Sequence, residues 1–358
     1  MNDTLEFFAG IGLVRMALQN AGWNTVFAND IDPKKYAIYK ENFGCKEFHL
    51  TDIKEIKASK LPPAALATAS FPCIDLSLAG NRAGLGGQHS SVFWHFYRLL
   101  VQLRKKAPRF LLIENVTGLL TSHDGRDLKA ILESINDCGY SSDLLVVDAA
   151  RFVPQSRPRL FIVCDREAEA NGSGLLAPHP ARPEAVLRFM ASFPKLKWHR
   201  YSLPPFPVRH QELKDVVERF TEDDPVWWNR ERRLHLYRQV SPAHARQLKQ
   251  MCSSDELTFA TVYKRVRPAG CRAELRFDGI AGCLRTPRGG SSKQFVIEAG
   301  RGDWRVRNMT AREYARLQGV PDSFKINVPY NQALFGFGDA VCVPAVSWIV
   351  KHCLNGTS

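Results

Sequence analysis

Between residues 5 and 164 the chain alternates in a way that leaves few folds open to it. Apolar runs of strand length at 5–8, 25–28, 66–69, 110–113, 143–147 and 160–164 are separated by amphipathic stretches of helix length at 13–21, 34–43, 92–105 and 128–138. Runs that are apolar throughout, rather than at every second residue, suit strands buried on both faces. Strands of that kind alternating with helices predict a parallel sheet covered on both sides, a doubly wound α/β domain over residues 1–165. In such a sheet, ligands bind beyond the carboxyl ends of the strands.

After residue 165 the pattern lapses. Residues 168–207 are loop-like, with Gly172, Gly174 and a series of prolines, and periodicity stays poor through the basic stretch Arg230-Glu231-Arg232-Arg233. A smaller, irregular domain is expected over 166–325, with 326–358 returning to the first domain. Charge separates the two parts. The net formal charge is +13, and between Arg182 and Arg316 there are 27 Lys and Arg against 15 Asp and Glu, so nearly all the excess lies in that one segment. A solvated surface would spread it evenly; concentration favours a face that binds a polyanion.

Other totals exclude more than they assign. No apolar run approaches the ~20 residues of a membrane helix, and Met1-Asn2-Asp3-Thr4 has no leader character, so a cytoplasmic protein is expected. Nine cysteines show no Cys-x-x-Cys pair and no Cys/His cluster at zinc spacing, which reads as reduced thiols with no metal site.

Four motifs fall where strands end. Leu5-Glu6-Phe7-Phe8-Ala9-Gly10-Ile11-Gly12 joins a strand to a glycine turn and a helix; it lacks the third glycine of a dinucleotide fingerprint, since Arg15 stands there. Asp30 ends the second run, where a carboxylate accepts hydrogen bonds from ribose hydroxyls, and Asp52 follows a short third strand, where it can receive an adenine amino group. Ala69-Ser70-Phe71-Pro72-Cys73 ends a strand in a residue without an N–H, which puts Cys73 on the loop just beyond. Phe110-Leu111-Leu112-Ile113-Glu114-Asn115-Val116 closes an apolar strand on a carboxylate, and Gln155-Ser156-Arg157-Pro158-Arg159 leads two arginines into another. Taken singly, a lone cysteine is a small core residue and a strand-end Glu a surface one.

In this order the motifs, with Arg316-Leu317-Gln318-Gly319-Val320-Pro321 and Gly338-Asp339-Ala340-Val341, resemble those of the cytosine-C5 DNA methyltransferases of bacterial and phage restriction-modification type, over nearly the whole chain. The resemblance implies a Rossmann-like S-adenosylmethionine-dependent domain with a target-recognition domain. It implies transfer of a methyl group to C5 of a flipped-out cytosine in duplex DNA, releasing S-adenosylhomocysteine. Cys73 is then the nucleophile on C6, Glu114 the acid at N3 and the reader of the exocyclic amine, Asn115 a brace for the loop, Arg159 the contact to O2 and Arg157 its support. Phe8, Ala9, Gly10, Gly12, Asp30, Ile31, Asp52, Ile53, Pro72, Val92, Asp339, Ala340 and Val341 surround the cofactor. Ser77, Arg82, Gln88 and Ser90 fall in a glycine-containing lid over residues 81–91 and its approach; with Arg230, Arg232, Arg233, Lys264, Arg265, Arg267, Arg272, Arg276, Arg285 and Arg288 they are the expected DNA contacts.

The partners implied are double-stranded DNA and a cognate restriction endonuclease or defence system, with no membrane, for a monomer. Three departures from the family's usual form are Asp339 for Asn, Phe71 for a second Pro and Ile74 for Gln. Two other readings keep part of the pattern: a tRNA cytosine-5 methyltransferase, against which the long basic middle segment argues, and an inactive DNA-binding relative, against which intact Cys73, Glu114, Arg157 and Arg159 argue.

Overall fold

In the computed structural model the described residues are 2–71, 92–171, 178–267, 270–287 and 292–355, with only the backbone of Arg267. They form two compact units, one of residues 1–148, 158–206 and 345–358, the other of 149–157 and 207–344.

The first unit carries β1 (Asp3–Phe7), α1 (Leu13–Asn20), β2 (Asn24–Asp30), α2 (Pro33–Phe43), β3 (Phe48–Leu50), β4 (Leu66–Ala69), α3 (Val92–Leu103), β5 (Phe110–Val116), α4 (Arg126–Asp137), β6 (Ser141–Asp148), β7 (Pro158–Asp165) and α5 (Glu184–Ser192). Its seven-stranded sheet runs β3-β2-β1-β4-β5-β7-β6. This is the Rossmann-like arrangement expected, with one correction. β7 pairs antiparallel with both β5 and β6. Residues 149–157, which join β6 to β7, are too few for the dozen or more that a parallel crossover needs, so the chain comes back reversed.

Helical periodicity explains what covers the sheet. Phe93, Phe96, Leu99 and Leu100 of α3 and Leu128, Ile131, Leu132 and Ile135 of α4 recur at helical spacing and share one core with Leu5, Phe7, Leu111, Ile113, Leu160 and Ile162. Each such side chain contributes about 1.5–3 kcal/mol on burial. A smaller cluster of Ala9, Ala28, Tyr39 and Phe48 packs with α2.

The unit boundaries fall at 206/207 and 344/345 rather than at 165/166 and 325/326. Asp143 of β6 is the reason for the first. Its buried carboxylate accepts from Arg182 Nε at 3.1 Å and Nη2, and from the Tyr201 N–H at 3.0 Å, which ties the loop-like segment back onto the sheet. At the other end, α11 (Val343–Ile349) and the π turn Val350–Leu354 join the first unit. There Ser347 Oγ donates to the Ala17 carbonyl at 3.0 Å and Trp23 Nε1 donates to Asn355 Oδ1 at 2.7 Å. The stretch Tyr330–Leu354 is, by length and composition, apolar enough to cross a membrane, with mean hydropathy 1.7, contrary to the expectation of no such run. Its window is 72% buried within the protein, the mark of a core segment.

The second unit is less irregular than expected. After α6 (Leu213–Val216), α7 (Arg230–Tyr237) and α8 (Pro242–Cys252), a four-stranded antiparallel sheet forms in the order β11-β10-β8-β9 from β8 (Thr258–Arg267), β9 (Gly270–Arg276), β10 (Gln294–Gly300) and β11 (Asp303–Asn308). Val262, Leu275, Phe295 and Ile297 pack beneath it with Trp228, Leu236 and Leu248. α9 (Ala311–Leu317) starts at a capping box: Thr310 accepts from the Glu313 N–H at 3.1 Å while Glu313 accepts from the Thr310 N–H at 2.7 Å. It stops at Gly319, whose φ of +75° suits only glycine here, because a Cβ would lie 2.3 Å from the Pro344 ring. α10 (Tyr330–Asp339) completes the unit.

Candidate active site

At the end of β1 the chain turns sharply into α1. Phe8 and Gly10 both take φ of +58° and Gly12 φ of +86°. An aromatic residue in the left-handed region costs about 1–2 kcal/mol, and Phe8 sits there with its ring 6.3 Å from that of Phe71. Gly12 has no room for a side chain, since a Cβ would lie 2.4 Å from the Phe43 ring. Gly10 differs: among the described residues, its chain neighbours aside, nothing lies closer than 4.0 Å to where its Cβ would be, so those residues leave its backbone open. Asp30, at the end of β2, closes the turn. Its Oδ2 accepts from the Gly10 N–H at 2.8 Å and its Oδ1 from the Asp32 N–H at 2.9 Å. Ile31 beside it is 64% exposed, an apolar surface at the rim of the sheet. The donor set fits a nucleoside: a two-oxygen acceptor, an open glycine backbone and an apolar plate.

Asp52 caps the short turn Ile53–Glu55, its Oδ1 accepting from the Lys54 N–H at 2.9 Å. Ile53 is buried in the core, which leaves its backbone as the part that can face a ligand. Ala9 is buried, and Val92 is half-buried at the start of α3.

The chemistry-bearing strand is β5. Pairing sets Glu114 opposite Phe161 and Val116 opposite Arg159 on β7, so the arginine lies diagonally across from the carboxylate. Arg159 Nε lies 3.0 Å from Glu114 Oε1, with both side chains largely buried. Asn115 works on the backbone: its Nδ2 donates to the Phe71 carbonyl at 3.1 Å and its Oδ1 accepts from the Val116 N–H at 2.9 Å. It therefore fixes the last described residue before the Pro-Cys dipeptide. Cys73 itself, with Pro72, Ser77, Arg82, Gln88 and Ser90, lies outside the described residues, as do Arg288 and the side chain of Arg267.

Arg157 is not part of that group as described. It belongs to the second unit and is 2% exposed. Its Nη1 donates to the Leu284 carbonyl at 2.5 Å, and its Nη2 to those of Gly338 at 2.9 Å and Ala340 at 2.6 Å. Gln318 Nε2 also donates to the Phe337 carbonyl at 2.8 Å and that of Ala340 at 3.2 Å. The segment carrying Asp339, Ala340 and Val341 is thus held by its own backbone carbonyls, with Asp339 exposed and Val341 buried.

The expected DNA contacts of the second unit divide by their surroundings. Arg230, Arg272 and Arg285 are exposed. Arg232 lies 3.7 Å over the Trp228 ring, with Lys264 on the same ring at 6.0 Å. Arg233 is committed to Asp303 at 3.1 Å, and Arg276 to Asp278 at 2.6 Å. Arg265 donates to the Tyr263 hydroxyl at 3.3 Å and stands directly opposite Arg272 across the β8–β9 ladder. Like charges so placed are destabilising unless an anion lies between them.

Two residues serve the site without a sequence signal. Asn29 Nδ2 donates to the carbonyls of His49 at 3.2 Å and Thr51 at 2.7 Å, holding the approach to Asp52. Glu6, wholly buried in β1, accepts the Arg15 N–H at 3.1 Å and so caps α1 from inside the sheet. Burial pushes its pKa up to about 8, against the lowering by that hydrogen bond and the Arg15 charge. An apolar strand offers no pattern that marks its one Glu as a cap. Among the described residues, no group of three His, Cys, Asp or Glu is placed to hold a metal ion.

Comparison with known proteins agrees with this layout. The type II methyltransferase M.NgoBI of Neisseria gonorrhoeae is 26% identical over 99% of this chain and 93% of its own, and M.HaeII of Haemophilus aegyptius is 28% identical over 98% and 92%. Among solved structures, S. pombe Dnmt2 superposes with a TM-score of 0.63 at 19% identity over 99% of this chain and 98% of its own, and Spodoptera frugiperda DNMT2 with 0.66 at 17% over 98% and 99%. These two share the fold. The description "C-5 cytosine-specific DNA methylase" matches residues 2–355, and the chain belongs to that family, which makes it a DNA cytosine-5 methyltransferase.

Proposed function

We propose that the protein methylates one cytosine within a specific duplex sequence by way of a covalent bond from Cys73 to C6, as the modification enzyme of a restriction-modification or defence system. The observation that carries this reading is the Glu114–Arg159 pair at 3.0 Å, with Glu114 on β5, the neighbour of the strand whose exit Asn115 fixes through Phe71, two residues before Cys73. S-adenosylmethionine, when bound, supplies an electrophilic methyl group. Phe8, Ala9, Gly10 and Gly12 of the turn after β1, with Asp30, Ile31, Asp52, Ile53 and Val92, would hold it, and by the family's motif order Asp339, Ala340 and Val341 are assigned to the same ligand.

The residues' own work is as follows. The Cys73 thiolate adds to C6, forming the S–C6 bond and pushing the ring electrons toward N3 and O2, which makes C5 nucleophilic. Glu114 delivers a proton to N3 and accepts from the exocyclic amine, and Arg159 donates to O2. Once C5 is methylated, its proton leaves to water or hydroxide, the C5–H electrons form the C5=C6 bond and restore the aromatic ring, and the S–C6 pair leaves with the thiolate while N3 returns its proton to Glu114. The base must leave the duplex first, since C6 is stacked there. Arg157 supports this indirectly, by holding the 338–340 backbone. The basic face of the second unit reads and grips the DNA. The enzyme acts as a cytoplasmic monomer.

Tritiated S-adenosylmethionine offered with duplex DNA or with tRNA tests the reading. Label is expected in DNA alone and is expected to vanish with Cys73→Ser; label in tRNA, or label in DNA that survives the substitution, contradicts it.

A further inference from the structure

One cation of the first unit, unmarked by any motif, spans two of the segments assigned to the methyl donor. Arg98 lies on α3, the helix that begins at Val92. Its Nη1 donates to the Lys54 carbonyl at 3.1 Å, and its Nη2 donates to those of Ile53 at 3.2 Å and Ile56 at 3.1 Å. These carbonyls belong to the short turn that Asp52 opens and caps. The last carbonyls of a helical turn have no partner within it; here the Ile53 carbonyl accepts the Ile56 N–H at 3.3 Å, and one guanidinium from a neighbouring helix supplies donors to it and to the carbonyls of Lys54 and Ile56.

Burial alone does not require this. Ile53 and Ile56 are already packed in the core that holds Phe96 and Leu99, so apolar contact secures the turn's depth. What a forked, planar donor adds is orientation. Asp52 uses Oδ1 to cap its own turn, so the direction of Oδ2 follows the turn as a whole. The same side of α3 addresses the same turn through His95, whose pKa is lowered by burial and by the charges of Arg98 and Lys54, with Asp52 opposing.

We propose that Arg98 is a positioning residue for the adenine end of the methyl-donor site, fixing the Asp52 turn so that the carboxylate meets the adenine amino group. The proposal rests on the reading of Asp52 as acceptor for that amine. Hydrogen bonds weaken steeply with misalignment, so a turn free to rotate loses this contact while the rest of the site stays formed.

The test is a cycle between protein and ligand, with calorimetric binding of S-adenosylhomocysteine and of its N6,N6-dimethyl analogue, which has no N6–H to give. The wild-type protein is expected to prefer the parent ligand by about tenfold, the worth of one hydrogen bond to a charged acceptor. Arg98→Met is expected to weaken the parent by a similar factor and leave the analogue nearly unchanged, so that the preference disappears. Arg98→Lys, which retains charge and some of the bonds, is expected to fall between, and reads the same ratio if the Met variant fails to fold. Equal weakening of both ligands by either variant would make Arg98 merely structural and overturns the proposal. Equal binding of both by the wild type removes the Asp52 contact, and the proposal with it, while the methyl-donor reading survives. Failure of the wild type to bind either ligand sinks that reading too.

Discussion

The rim of the large sheet and the face of the small one treat charge in opposite ways. In the large sheet, ionisable groups are buried and held by named partners: Glu114 by Arg159, Asp30 by two backbone N–H groups, and Glu6 through one oxygen by the start of α1. On the small sheet, Arg265 and Arg272 are left in solvent and oppose each other across a ladder, and Arg230 at the start of α7 is exposed as well. A group that must act on one atom of a substrate has to be held to a fraction of an ångström, and partners do that. A surface that grips a polyanion needs its charges unspent.

If that contrast is right, substitutions in the two regions fail differently. Glu114→Gln, which keeps the shape and loses the proton, is expected to lower kcat by about 10² to 10⁴ with little change in DNA affinity, measured by single-turnover methylation. A Glu114→Gln enzyme within threefold of wild type would remove the distinction. Arg157→Met should sharpen it: although only two residues from Arg159, its partners are the carbonyls of Leu284, Gly338 and Ala340. Stranding those groups is expected to cost about 1–3 kcal/mol or more in unfolding free energy, whereas Arg159→Met should melt near wild type and fail in catalysis.

Glu6 gives a pH signature to the rim alone. Its native pKa of about 8 lies above the ordinary 4.5, so the folded state binds the extra proton and stability falls as pH rises from 4.5 toward 8. Glu6→Gln retains an acceptor for the Arg15 N–H and is expected to flatten that part of the melting-temperature profile. A slope unchanged by the substitution assigns the dependence to other groups. The smallest effect belongs to the small sheet. Arg272→Gln is expected to weaken specific and non-specific DNA binding alike, to reduce the salt slope by about 0.9, and to raise the melting temperature slightly by relieving repulsion from Arg265. A change in sequence preference would instead make it a base contact.

The same contrast governs how far the sequence could be read. Strands β1, β2, β4 and β5 were legible because burial on both faces gives each a short run with little polar alternation, and the residues at or near their ends, Asp30 and Glu114, stand out against that background. The reversal of β7 was not legible from its composition, which is equally apolar; it follows from the length of the 149–157 connection. The small sheet was missed because polar residues break its apolar runs: β10, buried along its whole length, carries Gln294 and Glu298, and β8 mixes Ala260 and Val262 with Lys264 and Arg265. The partners of Arg157, the carbonyls of Leu284, Gly338 and Ala340, were not legible either, because backbone acceptors leave no mark in a side-chain pattern. Arg98, Asn29 and Glu6 were invisible because each acts on backbone carbonyls or N–H groups, which no side-chain pattern records.

The catalytic effects at Glu114 and Arg159 presuppose that a sulfur atom carries the reaction. Incubating the protein and its methyl donor with duplex DNA in which 5-fluorocytosine replaces cytosine tests that directly, because fluorine at C5 leaves no proton to remove and elimination stops. The expected result is a protein–DNA band that survives denaturant with the wild type and is absent with Cys73→Ser; a wild-type protein that methylates ordinary DNA yet gives no such band contradicts thiolate attack.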